Sequence, residues 1–95
     1  MATAIAGEFE WDVGKSRANA RKHGVTFMEA TRAFLDPLAV DLPDATHPDR
    51  LVLLGMTMPD RLLYVVYAER TSSGRLRIIS ARRATRHEQK EYEER

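Results

Sequence analysis

RLVLLGMTMPDRLLYVVYAERTSSGRLRIISARR, residues 50–83, decides the fold. Three strand-like runs lie in it, at 50–58, 62–70 and 75–83, rich in Leu, Val, Ile and Tyr. PD at 59–60 and TSSG at 71–74 separate them, short polar connections of hairpin length. The stretch therefore predicts an antiparallel meander. Its apolar residues do not alternate with polar ones. Leu62, Tyr64 and Val66 share one face of the central strand, and Leu63, Val65 and Tyr67 share the other. A sheet with one wet face alternates, so both faces of this one ask for cover. A terminal helix or the N-terminal arm answers for the second face in one reading. A partner protein or a second copy answers in the other.

Working outward, EFEW (8–11) predicts a short strand, and Asp12 caps a helix that runs to His23 with Gly24 as its stop. This first helix, with KSRANARKH, is mostly basic. Thr26 and Glu29 have capping-box spacing and start a second helix at Phe27. Phe27, Ala30 and Phe34 give it an apolar face, with Met28, Thr31 and Leu35 one step behind. DP at 36–37 ends it. LAVDL (38–42) is a further short strand, PDATHPD (43–49) a loop, and Thr85 with Glu88 repeats the capping-box spacing at the start of a terminal helix. The order is strand, two helices, three or four strands, helix: an α+β fold in one domain spanning residues 1–95.

Composition narrows the chemistry. The 95 residues include no cysteine, which excludes disulfides and thiolate metal sites and fits a reducing compartment. No run approaches the ~20 apolar residues of a membrane span, and MATAIAGEFEWD does not read as a signal peptide. A cytoplasmic protein is the expectation. His23, His47 and His87 lie in separate segments, with no metal-ligand spacing and no phosphate-cradling glycine loop, so neither a metal nor another cofactor is expected. Net charge is only +1, yet Lys15, Arg17, Arg21, Lys22 and His23 crowd one segment and Arg75, Arg77, Arg82, Arg83 and Arg86 another. Clustering of this kind builds a basic surface on a nearly neutral protein.

Arg, Lys, His and Tyr handle phosphodiesters without a metal. RNA carries its own nucleophile, the 2′-hydroxyl. Its cleavage needs a base for that proton, cationic donors for the charge on phosphorus, and an acid for the leaving oxygen. Arginine suits the second task and histidine the first or third. Each candidate also has a plain structural reading. His23 sits where a cation complements a helix C-terminus. Arg82 and Arg83 end a strand, must point to opposite faces, and pair readily with Glu69 or a tail glutamate. Tyr64 and Tyr67 serve as sheet packing as well as stacking platforms.

FEWD (9–12), Asn19 with KHGVTFMEA to Ala30, FLDPLA (34–39) and RIISARRAT (77–85) together resemble the BrnT-type toxins of bacterial type II toxin–antitoxin modules, in order over nearly the whole chain. Two departures stand out: Val13-Gly14 where the family often has proline, and EQKEY (88–92) where many members carry more arginine. The resemblance implies a RelE-like fold and a metal-independent ribonuclease that blocks translation. It also implies neutralisation by a BrnA-type antitoxin, the component through which the complex reaches operator DNA, and leaves open a homodimer or a heterotetramer. Carried over residue by residue, it gives Lys22, His23, Arg70 and Arg82 as catalytic, with Arg83 a further candidate; Arg21, Arg77 and Arg83, from the two basic clusters, are the expected nucleic-acid contacts. Arg82 is the expected main phosphate contact, Lys22 and Arg70 its helpers, and His23 the proton carrier. The rivals are a catalytically silent relative that only binds its partner, and a nucleic-acid-binding module in which the first two helices act as a helix-turn-helix.

Overall fold

A computed structural model describes residues 2–70 and 72–95. The elements are β1 (Thr3–Ala6), β2 (Phe9–Asp12), α1 (Val13–His23), α2 (Phe27–Ala33), β3 (Val40–Pro43), β4 (Leu51–Met58), β5 (Arg61–Glu69), β6 (Leu76–Arg83) and α3 (Arg86–Glu93). The meander stands as β4–β5–β6, inside a six-stranded sheet of order β1-β2-β6-β5-β4-β3. Every pairing is antiparallel except β2 with β6, which run parallel through Phe9–Leu76 and Glu10–Arg77.

The N-terminus departs from the expected single strand. Residues 3–12 form a hairpin, with Ala6 opposite Phe9 and only Gly7 and Glu8 in the turn. Gly7 takes φ 59°, which glycine adopts without cost and which a two-residue hairpin needs.

The helix caps follow the sequence. Asp12 accepts the Lys15 N–H at 2.8 Å, and Gly24, at φ 70°, closes α1 by donating to the Ala20 carbonyl. Thr85 and Glu88 form a complete capping box on α3. At α2 only half of the box exists: Thr26 accepts the Glu29 N–H, but the Glu29 carboxylate turns to Thr57 and Arg61 instead. Helix α2 also ends earlier than Pro37 requires. After Ala33 the chain tightens into three-residue turns, with Phe34, Leu35 and Asp36 donating to Thr31, Arg32 and Ala33.

Helices α1 and α2 pack on one face of the sheet. The core there comprises Trp11, Val25, Phe27, Ala30, Ala33, Leu53, Leu63, Val65, Tyr67, Ile78 and Ala81. Trp11 and Phe27 meet edge to face at 6.5 Å, and Phe34 meets Tyr67 at 4.9 Å. Gly55 lets α2 approach β4: a Cβ there would lie 2.4 Å from the Ala33 carbonyl oxygen. Met28 on α2 and Leu35 just beyond its end do not join this core and are exposed. With Phe27, Ala30 and Ala33 buried against the sheet, α2 is a core helix.

Helix α1 is docked differently. Asn19 is its one buried residue. The Asn19 Nδ2 donates to the carbonyls of Ala81 (2.7 Å) and Val25 (2.9 Å), and its Oδ1 accepts the Ala81 N–H at 3.2 Å. Strand β2 stops pairing with β6 after Arg77, so this carboxamide does for Ala81 what a further strand would have done.

The terminal helix covers part of the second face, as one of the two sequence readings required. Tyr92 packs with Leu54 and Leu62, and its hydroxyl donates to Asp36 Oδ2 at 2.5 Å. Asp36 also accepts the N–H groups of Met56 and Leu38. Burial alone would raise the Asp36 pKa, but the Tyr92 hydroxyl and these two N–H groups outweigh it and hold the carboxyl below its usual range.

A β-bulge sets which side chains of β6 face which way. Ser80 lies opposite Val66 while Ile78 lies opposite Tyr67, so Ile79 is an extra residue. Strict alternation counted back from Ala81 would place Ile79 and Arg77 on the helix side and Ile78 on the other face. The bulge instead keeps Ile78 in the helix-side core and puts Arg77, which lies opposite Ala68, on the other face.

Candidate functional site

Two basic groups lie at opposite ends of the sheet. The first gathers where β6 ends. Arg83 stands opposite Leu63 and Arg82 opposite Tyr64, so the pair diverges to the two faces, as alternation requires. The Arg83 Nη2 donates to the Asp60 carbonyl at 2.6 Å across the β4–β5 turn. The end of α1 reaches the same turn, because Arg61 Nη2 donates to the Gly24 carbonyl while Arg61 also pairs with Glu29 at 2.6 Å. Arg21, Lys22 and His23, the last turn of α1 and all exposed, are thereby brought to the same end of the sheet as Arg82 and Arg83.

Arg82 is held on three sides. Its Nη1 and Nη2 donate to the two carboxylate oxygens of Glu88 at 2.8 and 2.9 Å, and Nη1 also donates to the Arg83 carbonyl at 3.2 Å. The guanidinium carbon lies 4.0 Å from the centre of the Tyr64 ring. Burial alone would raise the Glu88 pKa, but the Arg82 guanidinium and the Thr85 N–H hold it below the usual glutamate range. Arg82 is pushed higher still by its bond to Glu88. Nε makes no hydrogen bond to protein among the described residues. Beside this group, under α3, lies a cleft of about 510 Å³ lined by residues that include Met56, Leu62, Arg83, Ala84 and Tyr92.

The second group sits at the β5–β6 turn. Glu10, buried on β2, accepts from Ser73 Oγ at 2.7 Å and Arg77 Nη1 at 2.8 Å, and the Ser73 bond is the main reason its pKa lies below the usual range. Arg70 adds its charge to the same carboxylate. Neighbouring antiparallel strands end at opposite ends of a sheet. Arg70, which follows β5, is therefore some 20 Å along the strand from Tyr64 and Arg82, at ~3.3 Å per residue. The structure thus places Lys22, His23, Arg21, Arg83 and Arg82 at one end of the sheet, with the α1 residues on the face that α1 and α2 cover and Arg82 on the α3 face, and keeps Arg70 and Arg77 at the other end.

The family model for "Ribonuclease toxin, BrnT, of type II toxin-antitoxin system" matches residues 11–88, most of the chain. The chain belongs to the BrnT family of ribonuclease toxins. Among solved structures, this BrnT-family chain is similar to the Brucella abortus ribonuclease toxin BrnT, determined at 1.1 Å resolution. Identity is 30% and the TM-score 0.64, over 80% of this chain and 94% of that one. No curated protein matches. A BrnT-type toxin belongs to a two-component module, so an antitoxin partner follows from the family.

Two acidic partners of these basic groups, Glu88 and Glu10, are not singled out as such by the sequence. The sequence names Glu88 as a cap and leads to an expected arginine–tail glutamate pair, but not to one residue doing both: a glutamate at the third helical position points its carboxylate back toward the preceding strand end, where Arg82 stands. Glu10 carried no signal, since its partners Ser73 and Arg77 are distant in sequence. Among the described residues no three His, Asp or Glu side chains group as a metal site would need, and no helix is long and apolar enough to cross a membrane.

Proposed function

We propose that this chain is the toxin of a type II module, acting in the cytoplasm, that cuts RNA without a metal and so blocks translation. A BrnA-type antitoxin holds it inactive and alone carries the complex to operator DNA. The observation that carries the reading is Arg82: a half-exposed guanidinium with donors to spare, at the end of the sheet where the basic turn of α1 also arrives. In this reading the 2′-oxygen of RNA attacks phosphorus, the 2′-O–P bond forms and the P–O5′ bond breaks. His23 moves the proton from the 2′-oxygen or onto the 5′-oxygen. Arg82 takes the charge that grows on the phosphoryl oxygens, and Lys22 holds a neighbouring phosphate. Arg21 and Arg83 flank the strand, while Arg70 and Arg77 grip it further along. The exposed Met28, Leu35, Leu38 and Met58 are the apolar surface a bound antitoxin would cover.

The test is cleavage of single-stranded RNA by the purified chain in excess EDTA, with Arg82→Ala alongside. Cutting that persists in EDTA and is lost in the variant supports the reading. Cutting that stops in EDTA removes the metal-free mechanism, and undiminished cutting by the variant removes Arg82 from the site.

A further inference from the structure

We propose that Glu88 is the positioning residue for Arg82: with the Tyr64 ring, it turns the guanidinium so that its Nε–Nη2 edge is presented to the scissile phosphate. The inference rests on Arg82 being the phosphate contact. A guanidinium has five N–H donors in a rigid plane. Glu88 takes one from Nη1 and one from Nη2, end on, and the Arg83 carbonyl takes the second from Nη1. What remains is the Nε–H and the outer N–H of Nη2. These lie side by side on one edge, the parallel fork that engages two oxygens of one phosphate.

The surroundings fix where that edge points. One face of the guanidinium rests on Tyr64, its neighbour across β5 and β6. The Glu88 carboxylate is itself anchored, because Oε1 also accepts the Thr85 N–H at 2.8 Å. The Glu88 side chain is 14% exposed and that of Arg82 36%, so the carboxylate is covered while the arginine reaches solvent. A free arginine on a strand end would sample many rotamers; this one has lost that freedom before substrate arrives. Pairing also neutralises its charge, which weakens attraction for any phosphate at rest. The benefit of a fixed fork therefore falls on the transition state, and its loss is read in kcat rather than KM.

The experiment is a double-mutant cycle on the purified full chain, with a short single-stranded RNA as substrate: wild type, Glu88→Gln, Arg82→Ala and both together. Glu88→Gln is expected to lower kcat about tenfold, with KM within about twofold, as misorientation of a catalytic group does. In the Arg82→Ala background it is expected to change nothing further. Equal losses in both backgrounds, or full kcat in Glu88→Gln alone, would overturn the inference. The amide also weakens the cap of α3, so Tm is measured for all four proteins; that loss is expected in both backgrounds and does not mimic the cycle. A second readout does not depend on turnover. The Arg82 Nε–H resonance is expected to shift when a 2′-deoxy oligonucleotide is added to wild type and not when it is added to Glu88→Gln; no shift in wild type sinks the inference. Arg82→Ala that cuts normally brings down the site itself, whereas a dead Arg82→Ala beside a fully active Glu88→Gln brings down only the role of Glu88.

Discussion

The side chain of Asn19 binds both backbone groups of Ala81, a residue 62 positions further along the chain. A basic helix with almost no apolar surface is docked on the sheet through a buried carboxamide. Asn19→Ala should leave the Ala81 N–H and C=O and the Val25 carbonyl without partners. An unsatisfied buried polar group costs about 1–3 kcal/mol. Urea unfolding should show a loss in that range. Asn19→Asp should be no better, since a carboxylate can donate to neither carbonyl.

Gly55 predicts a steric limit. In Gly55→Ala the new methyl would meet the Ala33 carbonyl oxygen at 2.4 Å and its Cβ at 2.9 Å. Backbone cannot rotate away as a side chain can, so α2 must shift off β4. A cost of about 1–3 kcal/mol is expected for such overpacking. Pairing the change with Ala33→Gly, which removes only the Cβ contact, should recover a minor part of it.

Tyr92→Phe should loosen the terminal helix selectively. The hydroxyl that reaches Asp36 ties α3 to the turn after α2. Its loss is expected to cost about 1 kcal/mol and to speed hydrogen exchange in α3 more than in the meander.

Acid should unfold this protein early. Glu10, Glu29, Asp36 and Glu88 all titrate below their usual ranges in the fold. A depressed carboxyl stabilises the folded state above its unfolded pKa, and that stability is lost as pH falls through the folded one. Tm should therefore be flat near neutrality and fall from about pH 4.3 downward, where unfolded glutamates begin to take up protons. Glu29→Gln should flatten part of that slope, because Arg61 is the largest cause of its shift.

Arg70 offers a contrast with Arg82. Lying at the far end of the sheet, it would hold RNA away from the cut proposed at Arg82. Arg70→Ala should raise KM a few-fold with kcat unchanged, and lessen the salt dependence of RNA binding by about 0.7 in log–log slope, the value for one single-strand phosphate contact.

Much of this architecture was readable because it depends on local chemistry. Asp12, Thr26, Thr85 and Gly24 mark helix ends through their own side chains or backbone freedom, and the meander declares itself by β-branched runs between short polar turns. What escaped depends on register or on distant partners. The bulge at Ile79 reverses the faces that alternation from Ala81 would give Arg77 and Ile78, yet nothing in RIIS announces an extra residue. The half-formed box at Glu29 follows from Arg61, 32 residues away. Arg70 and Arg82 lie far apart for a simpler reason. Arg70 follows the end of β5 and Arg82 lies at the end of β6, and antiparallel neighbours end at opposite ends of a sheet, which the predicted topology already contained.

The parallel pairing of β2 with β6 has a consequence for how the molecule comes into being. Glu10 meets Arg77, 67 residues later, so the N-terminal hairpin and α1 have no sheet to join until β6 has been made. At synthesis rates of about 5–20 residues per second, a nascent chain spends several seconds with this half unanchored. Asn19 and Arg82 both wait for the same late strand. Until the last fifth of the chain has been translated, neither the Arg82–Glu88 pair nor the Asn19–Ala81 bonds can form, so the α3 end of the sheet is the last part of the fold to exist.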